Sequence, residues 1–478
     1  MIQNIDILKS YFEVGDFPSE AQFADLIDSF VHKDEGNSTG NTISPKMIFI
    51  NTQEGDDATA AIESSSQPFK TIDAALQALP AWDGEDHWIL VLTSAGTYTV
   101  TKAIPRRNIT FSSTQKVFIE LQQEGNITEK GHNTIPVAHI TFDIPHGTYK
   151  HTFSNKETFF WTQRIVLNLN FDRIQLNYTG SENYTSFAYF NLGAGYQSYG
   201  SVMQINTVET NIPFFYGRKF SPDTESTRLQ VIIGKVIATQ GNEFTFFTED
   251  YRHDLVEASI KVYSFSNESS NYVNISRLSS ISKKNVEIGD VSGQGNAVFL
   301  FSGISNGFVN FLNSELSNTY FARSWTTWTP GYRQFSGTIL KYTDTNAAVV
   351  QTTSHAGSTV YFKNLFIKEF TSNNPNAWIF DLWQNSDARG EWIFENCHII
   401  SNCRTIRNGG SVDRIKLIGV NVFDDAGDTT NYSIDKRLPS SGQFQLLNEG
   451  ILKTKAVRDT LNSDGNPAVV ITSNLTTF

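Results

Sequence analysis

The sequence predicts a mainly β fold: a right-handed parallel β-helix, with a short α-helical hairpin before it and a helix that caps its entrance. Strand-like segments recur along the chain in the same order of strand, polar corner and strand. The composition suits stacked strands and tight turns, since 36 Phe and 17 Tyr accompany only 18% charged residues. A chain of 478 residues also exceeds one ordinary core unless a repeat architecture absorbs it.

The charge and the motif content exclude several classes of function. A formal net charge of −12 argues against binding nucleic acid, which calls for a clustered basic face. No run approaches the roughly 18 apolar residues that would span a membrane. Phosphate-binding, dinucleotide-binding and metal-ligand signatures do not occur in the sequence. We therefore expect no cofactor, no metal, no nucleic-acid partner and no membrane insertion.

The first 32 residues predict a helical hairpin. Apolar residues recur at helical spacing on two stripes, which the segment 15–19 separates with a glycine that ends one helix and a proline that can open the next. Each helix is too short to hold alone, so its apolar face needs a partner. These apolar residues include Leu8, Phe12, Phe23, Leu26, Ile27 and Phe30. Residues 33–46, rich in Gly, Asn, Ser and Thr, predict a flexible linker.

Residues 47–100 are predicted to form a compact module. Its order is a strand over 47–50, a polar loop over 51–66, an amphipathic helix over 68–79, a strand over 88–92 and a turn over 96–98. This order, with its Pro-Phe-Lys-Thr-Ile helix start and its Gly-Thr-Tyr, resembles the opening module of pectin-lyase-like β-helix proteins, including many phage tailspikes. The resemblance implies that the helix caps the open end of the coil, which would otherwise recruit another chain edge to edge.

Residues 101–425 predict the β-helix shaft. The repeat centres on a polar or small residue, with apolar residues four and two before it and one and three after it, all expected to point inward. Around Gly419 the inward set would be Ile415, Leu417, Val420 and Val422. Complete matches centre on Arg173, Lys235, Asn364, Asn396 and Gly419, and matches with one exception on Asp290 and Asn313. A β-sandwich with period-two strands is the alternative.

Residues 426–478 predict a C-terminal unit that caps the coil or joins neighbouring subunits. The segment 429–448 is polar and irregular, 451–461 has the pattern of a short helix, and 468–471 reads as a last strand. The two cysteines, Cys397 and Cys403, are expected to be buried free thiols, with a bridge within one turn of chain as the alternative.

Four acids are the candidates for catalysis, because glycoside hydrolysis needs two carboxylates about 5 to 10 Å apart. Adjacent rungs of a parallel sheet lie about 4.8 Å apart, so two acids in register would meet that demand. For Glu395, however, the equivalent positions hold Lys363 and Ile418. We favour the alternative that these acids lie on turns and that the neighbouring tryptophans pack in the core. The candidates are Asp381, Asp387, Glu391 and Glu395.

Five aromatic residues are the candidates for ligand binding, because Tyr and Trp are favoured where a surface meets a sugar or a partner. Burial under long loops is the alternative interpretation. The candidates are Trp325, Trp328, Tyr332, Trp378 and Trp383.

The hairpin at residues 7–30, Ile-Leu-Lys-Ser-Tyr-Phe-Glu followed by Gly-Asp-x-Pro-Ser and Leu-Ile-Asp-Ser-Phe, resembles a leader that recurs on virion proteins of phages infecting Bacteroidetes. This resemblance implies that residues 1–32 anchor the chain to other virion proteins. The resemblance to spikes implies a homotrimer. No signal peptide is expected.

The sequence thus predicts a structural fibre or spike subunit of a phage particle, located in the virion after assembly in the host cytoplasm, that attaches to a host-surface polysaccharide or receptor. An enzymatic role is less favoured. It would make the chain a tailspike depolymerase, either a glycoside hydrolase or a polysaccharide lyase.

Overall fold

The computed structural model describes most of the chain from residue 45 onward. The described ranges are 45–122, 138–154, 160–161, 165–180, 188–192, 200–211, 215–219, 227–239, 244–249, 256–267, 273–289, 291–293, 297–317, 322–324, 332–344, 350–352, 359–374, 378–382, 391–408, 414–426, 434–436, 445–454, 469–470 and 475–477. The predicted hairpin, its six apolar anchor residues from Leu8 to Phe30, and residues 33–44 of the predicted linker lie outside these ranges.

The described residues form thirty strands and one helix, α1 (Ile72–Ala78). The strands are β1 (Lys46–Ile50), β2 (His87–Leu92), β3 (Gly96–Val100), β4 (Asn108–Ser112), β5 (Val117–Leu121), β6 (Ala138–Phe153), β7 (Phe160–Trp161), β8 (Ile165–Tyr178), β9 (Ala188–Leu192), β10 (Ser201–Thr210), β11 (Phe215–Lys219), β12 (Thr227–Ala238), β13 (Phe244–Glu249), β14 (Val256–Asn267), β15 (Val273–Ile288), β16 (Val291–Gly293), β17 (Ala297–Ser317), β18 (Ala322–Ser324), β19 (Tyr332–Asp344), β20 (Val350–Thr352), β21 (Thr359–Ser372), β22 (Trp378–Leu382), β23 (Glu391–Glu395), β24 (His398–Ser401), β25 (Arg404–Asn408), β26 (Arg414–Asp424), β27 (Ile434–Lys436), β28 (Gln445–Thr454), β29 (Val469–Val470) and β30 (Leu475–Thr477).

These strands build a parallel β-solenoid. One continuous ladder runs through β1, β2, β4, β6, β8, β10, β12, β14, β15, β17, β19, β21, β23, β26, β28 and β29. A separate sheet contains β18, β20, β22, β25 and β27. Every strand pairing within the described residues is parallel, whereas a β-sandwich is built from antiparallel sheets. The predicted β-helix is therefore confirmed, and the sandwich alternative is wrong.

The entrance of the solenoid is covered by α1, as predicted. Ile72, Ala75 and Leu76 are buried and belong to the same apolar core as the strands. The helix contacts β1 and β3, at the first turn of the coil. A terminal rung that carries such a cover offers fewer unpaired backbone groups to another chain.

The helix begins later than the sequence pattern indicates. It starts at Ile72 rather than at Pro68, because Thr71 adopts an extended conformation and caps the helix with its side chain. Phe69 instead forms a parallel bridge with Ile50 and so extends the entry sheet. The prediction of a turn over 96–98 is also wrong, since Gly96 begins β3, which pairs in register with β5.

Aromatic side chains from successive turns stack inside the solenoid. The rings of Phe111 and Phe142 lie 4.6 Å apart, and Phe171 continues this stack at 5.6 Å. Further along, the rings of Phe362 and Phe394 lie 4.7 Å apart and nearly parallel. The inward positions predicted around four anchors are all buried, namely Leu169, Phe171, Ile174, Leu176, Val231, Ile233, Val236, Ala238, Val360, Phe362, Leu365, Ile367, Trp392, Phe394, Cys397 and Ile399.

Four of the predicted corner residues have a conformation that bends the chain sharply. Asn313, Asn364 and Asn396 have φ of 52°, 50° and 52°, in the left-handed region, and Gly419 has φ of 66°. Asparagine and glycine tolerate this region better than other residues. The side chains of neighbouring turns also meet there, since Asn396 Nδ2 donates to Asn364 Oδ1 at 3.4 Å. At these four positions a polar or small residue is therefore favoured by backbone geometry, whereas the repeat centres Arg173 and Lys235 do not have a positive φ.

The inward set predicted after Gly419 is wrong. Val420 is 46% exposed and Val422 is only partly buried, whereas Asn421 and Phe423 are fully buried. The apolar pattern of the sequence continues smoothly through this corner, so the repeat alone gives no sign of the shift.

An extra residue on β26 causes the shift. Ile418 pairs with Glu395, but the next paired residues are Val422 and His398, so the segment 418–422 is one residue longer than the segment 395–398 that it follows. Such an insertion reverses the inward and outward positions that follow it. Asn421 becomes an inward residue and donates from Nδ2 to the carbonyl of Ile418 at 3.1 Å.

The ladder continues into the predicted C-terminal unit. All ten residues of β28 pair with β26, and β28 in turn pairs with β29 and β30. The helix predicted over 451–461 is therefore wrong for 451–454, which belong to β28, and 455–461 lie outside the described residues. The last strand predicted over 468–471 is found as β29.

Candidate functional site

The outer face of the main ladder carries the candidate site. Strands β17, β19, β21, β23, β26 and β28 are successive neighbours, and their outward residues alternate with the buried core positions. The parallel register therefore sets which outward side chains lie side by side, about 4.8 Å apart from turn to turn.

Two of the four predicted acids lie on this face. Glu391 and Glu395 are both partly exposed on β23. Four residues along one strand separate them by about 13 Å, which exceeds the spacing of a glycosidase carboxylate pair. On adjacent turns Glu391 pairs with Thr359 and Arg414, and Glu395 pairs with Lys363 and Ile418, as predicted. Neither acid has a second acid in register beside it.

Two ion pairs lie on this face. Lys363 Nζ lies 3.9 Å from Glu395 Oε1, and Lys416 Nζ lies 3.0 Å from Glu449 Oε2. All four side chains are at least one-fifth exposed, so each pair contributes little to stability. Their main effect is that this part of the face presents hydrogen-bonding groups of both signs.

The other candidates are placed elsewhere or are not described. Asp381 lies on β22 in the separate sheet, in register with Gln351 and Arg407, and so belongs to a different side of the solenoid from Glu391. The structure describes the strand position of Asp381 but not its side chain. Asp387, Trp325, Trp328 and Trp383 lie outside the described residues altogether.

The described tryptophans of the acidic cluster are core residues. Trp392 is fully buried and packs against Phe362, with ring centroids 5.5 Å apart. Trp378 is only 3% exposed, and the guanidinium of Arg404 lies 4.1 Å from its ring centroid. The expectation that these tryptophans pack inside is therefore confirmed for both residues. The accompanying expectation that the acids lie on turns is wrong for Asp381, Glu391 and Glu395, which lie on strands.

Tyr332 is the predicted ligand residue that reaches the outer face, and two further rings accompany it. The ring of Phe308 on β17 lies 5.8 Å from that of Tyr332 on β19, and the ring of Tyr361 on β21 lies 6.0 Å away on the other side. All three side chains are partly exposed. We call Phe308, Tyr332 and Tyr361 the aromatic face.

The hydroxyl of Tyr332 is held in place. It donates to Gln334 Oε1 at 3.0 Å. Partial burial, together with the negative charge of Glu395, raises the pKa of Tyr332, so its hydroxyl remains a hydrogen-bond donor at neutral pH. A fixed hydroxyl beside a flat apolar ring is a combination that suits binding partners with both polar and apolar faces.

Phe308 and Tyr361 were not predicted as site residues. For Tyr361 a signal existed, because it lies between the inward positions Val360 and Phe362 of the Asn364 repeat and must therefore point outward. Phe308 lies beyond the repeat pattern around Asn313. Its neighbour relationship to Tyr332 depends on the length of the turn between them.

A second cluster of titratable groups lies near the entrance. His87, Asn108 and His139 occupy the same outward position on β2, β4 and β6. The His87 ring Nε2 lies 2.9 Å from Thr110 Oγ1. Burial, together with the charge of His139, lowers the pKa of His87, and burial also lowers the pKa of His139. Both imidazoles are therefore neutral at physiological pH.

Both cysteines are buried free thiols, as predicted. Burial raises the pKa of the Cys397 thiol to about 12. Its Sγ donates to the carbonyl oxygen of Phe362 at 3.2 Å, and its backbone N–H donates to Asn421 Oδ1 at 3.0 Å. Cys397 is therefore a core residue and is not a nucleophile.

The described residues contain neither a cluster of metal ligands nor a membrane-spanning helix. No group of three or more His, Cys, Asp or Glu side chains there could hold a metal ion. No helix in that part of the chain is long and apolar enough to cross a membrane.

No protein-family model, curated protein or solved structure matches this chain. What the chain does is therefore inferred from its fold, its surface chemistry and the resemblances of its sequence motifs.

Proposed function

We propose that this chain is a structural fibre or spike subunit of a bacteriophage particle and that it contributes to attachment to a polysaccharide on the host surface. The observation that carries the proposal is a long parallel solenoid with a helix over its entrance and partly exposed aromatic rings on its outer face. A solenoid is extended and stable along one direction, as a shaft requires.

The sequence resemblances supply the connection to a virion. The entry module resembles that of pectin-lyase-like spikes, and residues 1–32 resemble a leader shared by virion proteins of different kinds. In this proposal residues 1–32 dock on other virion proteins, the following linker acts as a tether, and the shafts assemble as a homotrimer. The chain is then located in the virion.

The geometry of the acids favours attachment over cleavage. Glu391 and Glu395 are too far apart for a carboxylate pair, and Glu395 is paired with Lys363. We therefore assign these two acids to the surface chemistry of a binding face.

Complementation of phage particles tests the anchor. Particles that lack this chain are assembled with the full-length chain, with a chain lacking residues 1–32, and with a full-length Tyr332→Ala variant as control. The proposal expects incorporation of the full-length and Tyr332→Ala chains and loss of the truncated one, measured by immunoblot of purified particles. Normal incorporation of the truncated chain would refute the anchor assignment.

A further inference from the structure

The aromatic face departs from the composition of the same surface elsewhere. From β4 to β15 the outward position that leads to Phe308 carries polar or charged residues, namely Ser112, Asp143, Asn170, Gln204, Lys261 and Glu287, with Ile232 as the exception. On the first two turns the same position is apolar, with Phe49 on β1 and Val91 on β2. At this position β17 and β21 carry Phe308 and Tyr361, while β19 carries Gln334. The ring of Tyr332, two residues earlier on β19, lies within 6.0 Å of both aromatic rings. Partly exposed aromatic clusters of this kind mark contact surfaces.

The spacing of the rings follows the solenoid axis. Phe308, Tyr332 and Tyr361 lie on three successive strands, so the cluster advances by about 4.8 Å per turn. This advance is close to the length of one pyranose unit in a polysaccharide chain. Sugar rings carry a face of C–H groups that packs on an aromatic ring, while their hydroxyls point sideways. The rings of Tyr332 and Tyr361 are nearly perpendicular, at an interplanar angle of 79°. A polysaccharide lying along the axis can therefore stack on both rings where its neighbouring sugars are rotated relative to each other.

The polar groups beside the rings can form hydrogen bonds with the hydroxyls of a sugar. Gln334 accepts a hydrogen bond from Tyr332 and lies in register with Tyr361 on the next turn. Lys363 Nζ lies 5.8 Å from the Tyr361 ring centroid and 3.9 Å from Glu395 Oε1. These groups offer both donors and acceptors within reach of a sugar that stacks on Tyr361.

The ion pairs beside the aromatic face favour a neutral sugar over an acidic one. The cation of Lys363 is already paired with Glu395, and that of Lys416 with Glu449. A carboxylate or sulfate on the ligand would meet a paired lysine and a repelling glutamate. A neutral sugar meets no such repulsion, and its hydroxyls can bridge both members of a pair.

We propose that the aromatic face binds a neutral polysaccharide along the solenoid axis, stacking sugars on Tyr332 and Tyr361, with Gln334, Lys363 and Glu395 bonding their hydroxyls. This inference rests on the proposed attachment function and names its ligand class. Glu395 then acts as a specificity-determining residue, because it excludes acidic polymers by repulsion and by neutralising Lys363.

Native affinity electrophoresis of the full-length chain tests the proposal. The gels contain a soluble glucan, mannan or galactan as neutral polymers, or polygalacturonate as the acidic one. Wild type is expected to be retarded by at least one neutral polymer and not by polygalacturonate. Tyr332→Ala and Tyr361→Ala should each weaken the apparent Kd about tenfold, which corresponds to about 1.4 kcal/mol. Tyr332→Phe should lose less, since it keeps the ring.

Tyr263→Ala is the matched control. Tyr263 is 56% exposed on the outer face, with Lys261 Nζ 5.1 Å from its ring centroid, but it lies on an earlier turn. This variant should bind as wild type does. In addition, Glu395→Gln should gain retardation by polygalacturonate, because it leaves Lys363 without its carboxylate partner. Thermal melting checks that every variant is folded.

Two different binding results would contradict different parts of the proposals. Retardation by a neutral polymer that both alanine variants keep would place binding elsewhere and overturn this proposal, while leaving the attachment function standing. No retardation by any neutral polymer would overturn both the proposal and polysaccharide attachment. Incorporation into particles, which depends on residues 1–32, tests the virion assignment independently of either result.

Discussion

The side-chain oxygen of Asn396 lies where a side chain on Gly419 would have to begin. Both residues form left-handed corners on successive turns, with φ of 52° and 66°. Asn396 Oδ1 accepts a hydrogen bond from the backbone N–H of Val420 at 2.9 Å. A Cβ placed on Gly419 would overlap this oxygen, so the corner admits one side chain from the two turns.

Gly419→Ala should therefore destabilise the chain. The left-handed conformation alone costs a non-glycine residue about 1 to 3 kcal/mol, and the overlap with Asn396 adds to this. The unfolding midpoint in guanidinium should fall. The double variant Asn396→Gly/Gly419→Ala should recover part of the loss, because it removes the overlapping oxygen. Strictly additive effects of the two changes would show that the two side chains do not compete.

The cap of α1 provides a second prediction. Thr71 Oγ1 accepts from the N–H of Ala74 at 3.1 Å, and Asp57 accepts from the N–H groups of Lys70 and Thr71. Thr71→Ala should lower the free energy of unfolding by about 1 kcal/mol. Thr71→Ser, which keeps the hydroxyl, should lose less. Equal stability of the alanine variant and wild type, measured by chemical denaturation, would contradict the capping role.

His87, which is partly buried, and His139, which is exposed but partly desolvated, predict a loss of stability in acid. Their pKa values in the fold are lowered from the ordinary value of 6.5, so protonation disfavours the folded state. Their contribution is fully present above pH 6.5 and is lost as the pH falls through the lowered values. The melting temperature of the His87→Gln/His139→Gln variant should therefore decline less than that of wild type between pH 7.5 and acid.

His146→Gln provides the control for this comparison, because His146 is exposed and lies outside the segment of β6 that pairs with β4. Its melting temperature should follow wild type across the pH series. Parallel curves for wild type and the double histidine variant would show that burial of His87 and His139 does not couple folding to protonation.

The two buried thiols are expected to react slowly with thiol reagents. Because burial raises the pKa of Cys397 to about 12, almost no thiolate is present near neutral pH, and Cys403 is likewise buried. A thiol reagent such as DTNB should find no rapidly reacting cysteine in the folded chain and two in guanidinium. Thr97→Cys, at an exposed position, should add one rapid equivalent. Rapid reaction of wild type would contradict the burial of these residues.

The enzymatic alternative is tested with the host polysaccharide as substrate. Attachment without cleavage predicts that the purified chain releases no new reducing ends from capsule or lipopolysaccharide, and that Glu391→Gln behaves as wild type does. Turnover that is lost in Asp387→Ala or in Glu391→Ala would overturn the passive fibre and support a depolymerase.

The inward positions of the shaft could be predicted because they depend on a local pattern. Around Asn364 and Asn396 the alternation of apolar residues and the left-handed corner are both encoded within eight residues. After Gly419 the same pattern gave the wrong face. The extra residue there is recognisable only from pairing with the turn below, where Asn396 already occupies the corner.

The candidate site was less predictable for a related reason. Tyr332 was identified by its residue type alone, whereas its contacts with Phe308 and Tyr361 come from turns that lie 24 and 29 residues away in sequence. Their meeting depends on the lengths of the intervening loops, which the repeat does not fix. The register also determines the neighbours of the candidate acids, since it places Lys363, and not a second acid, beside Glu395.

Distances between pairs of nitroxide labels test the winding of the chain most directly. Asp143, Lys261, Gln334 and Lys416 occupy one outward row, at four, seven and ten turns from Asp143. A parallel solenoid predicts separations from Asp143 of about 19, 34 and 48 Å, increasing by about 4.8 Å per turn. Separations that do not increase in proportion to the number of turns would contradict the solenoid.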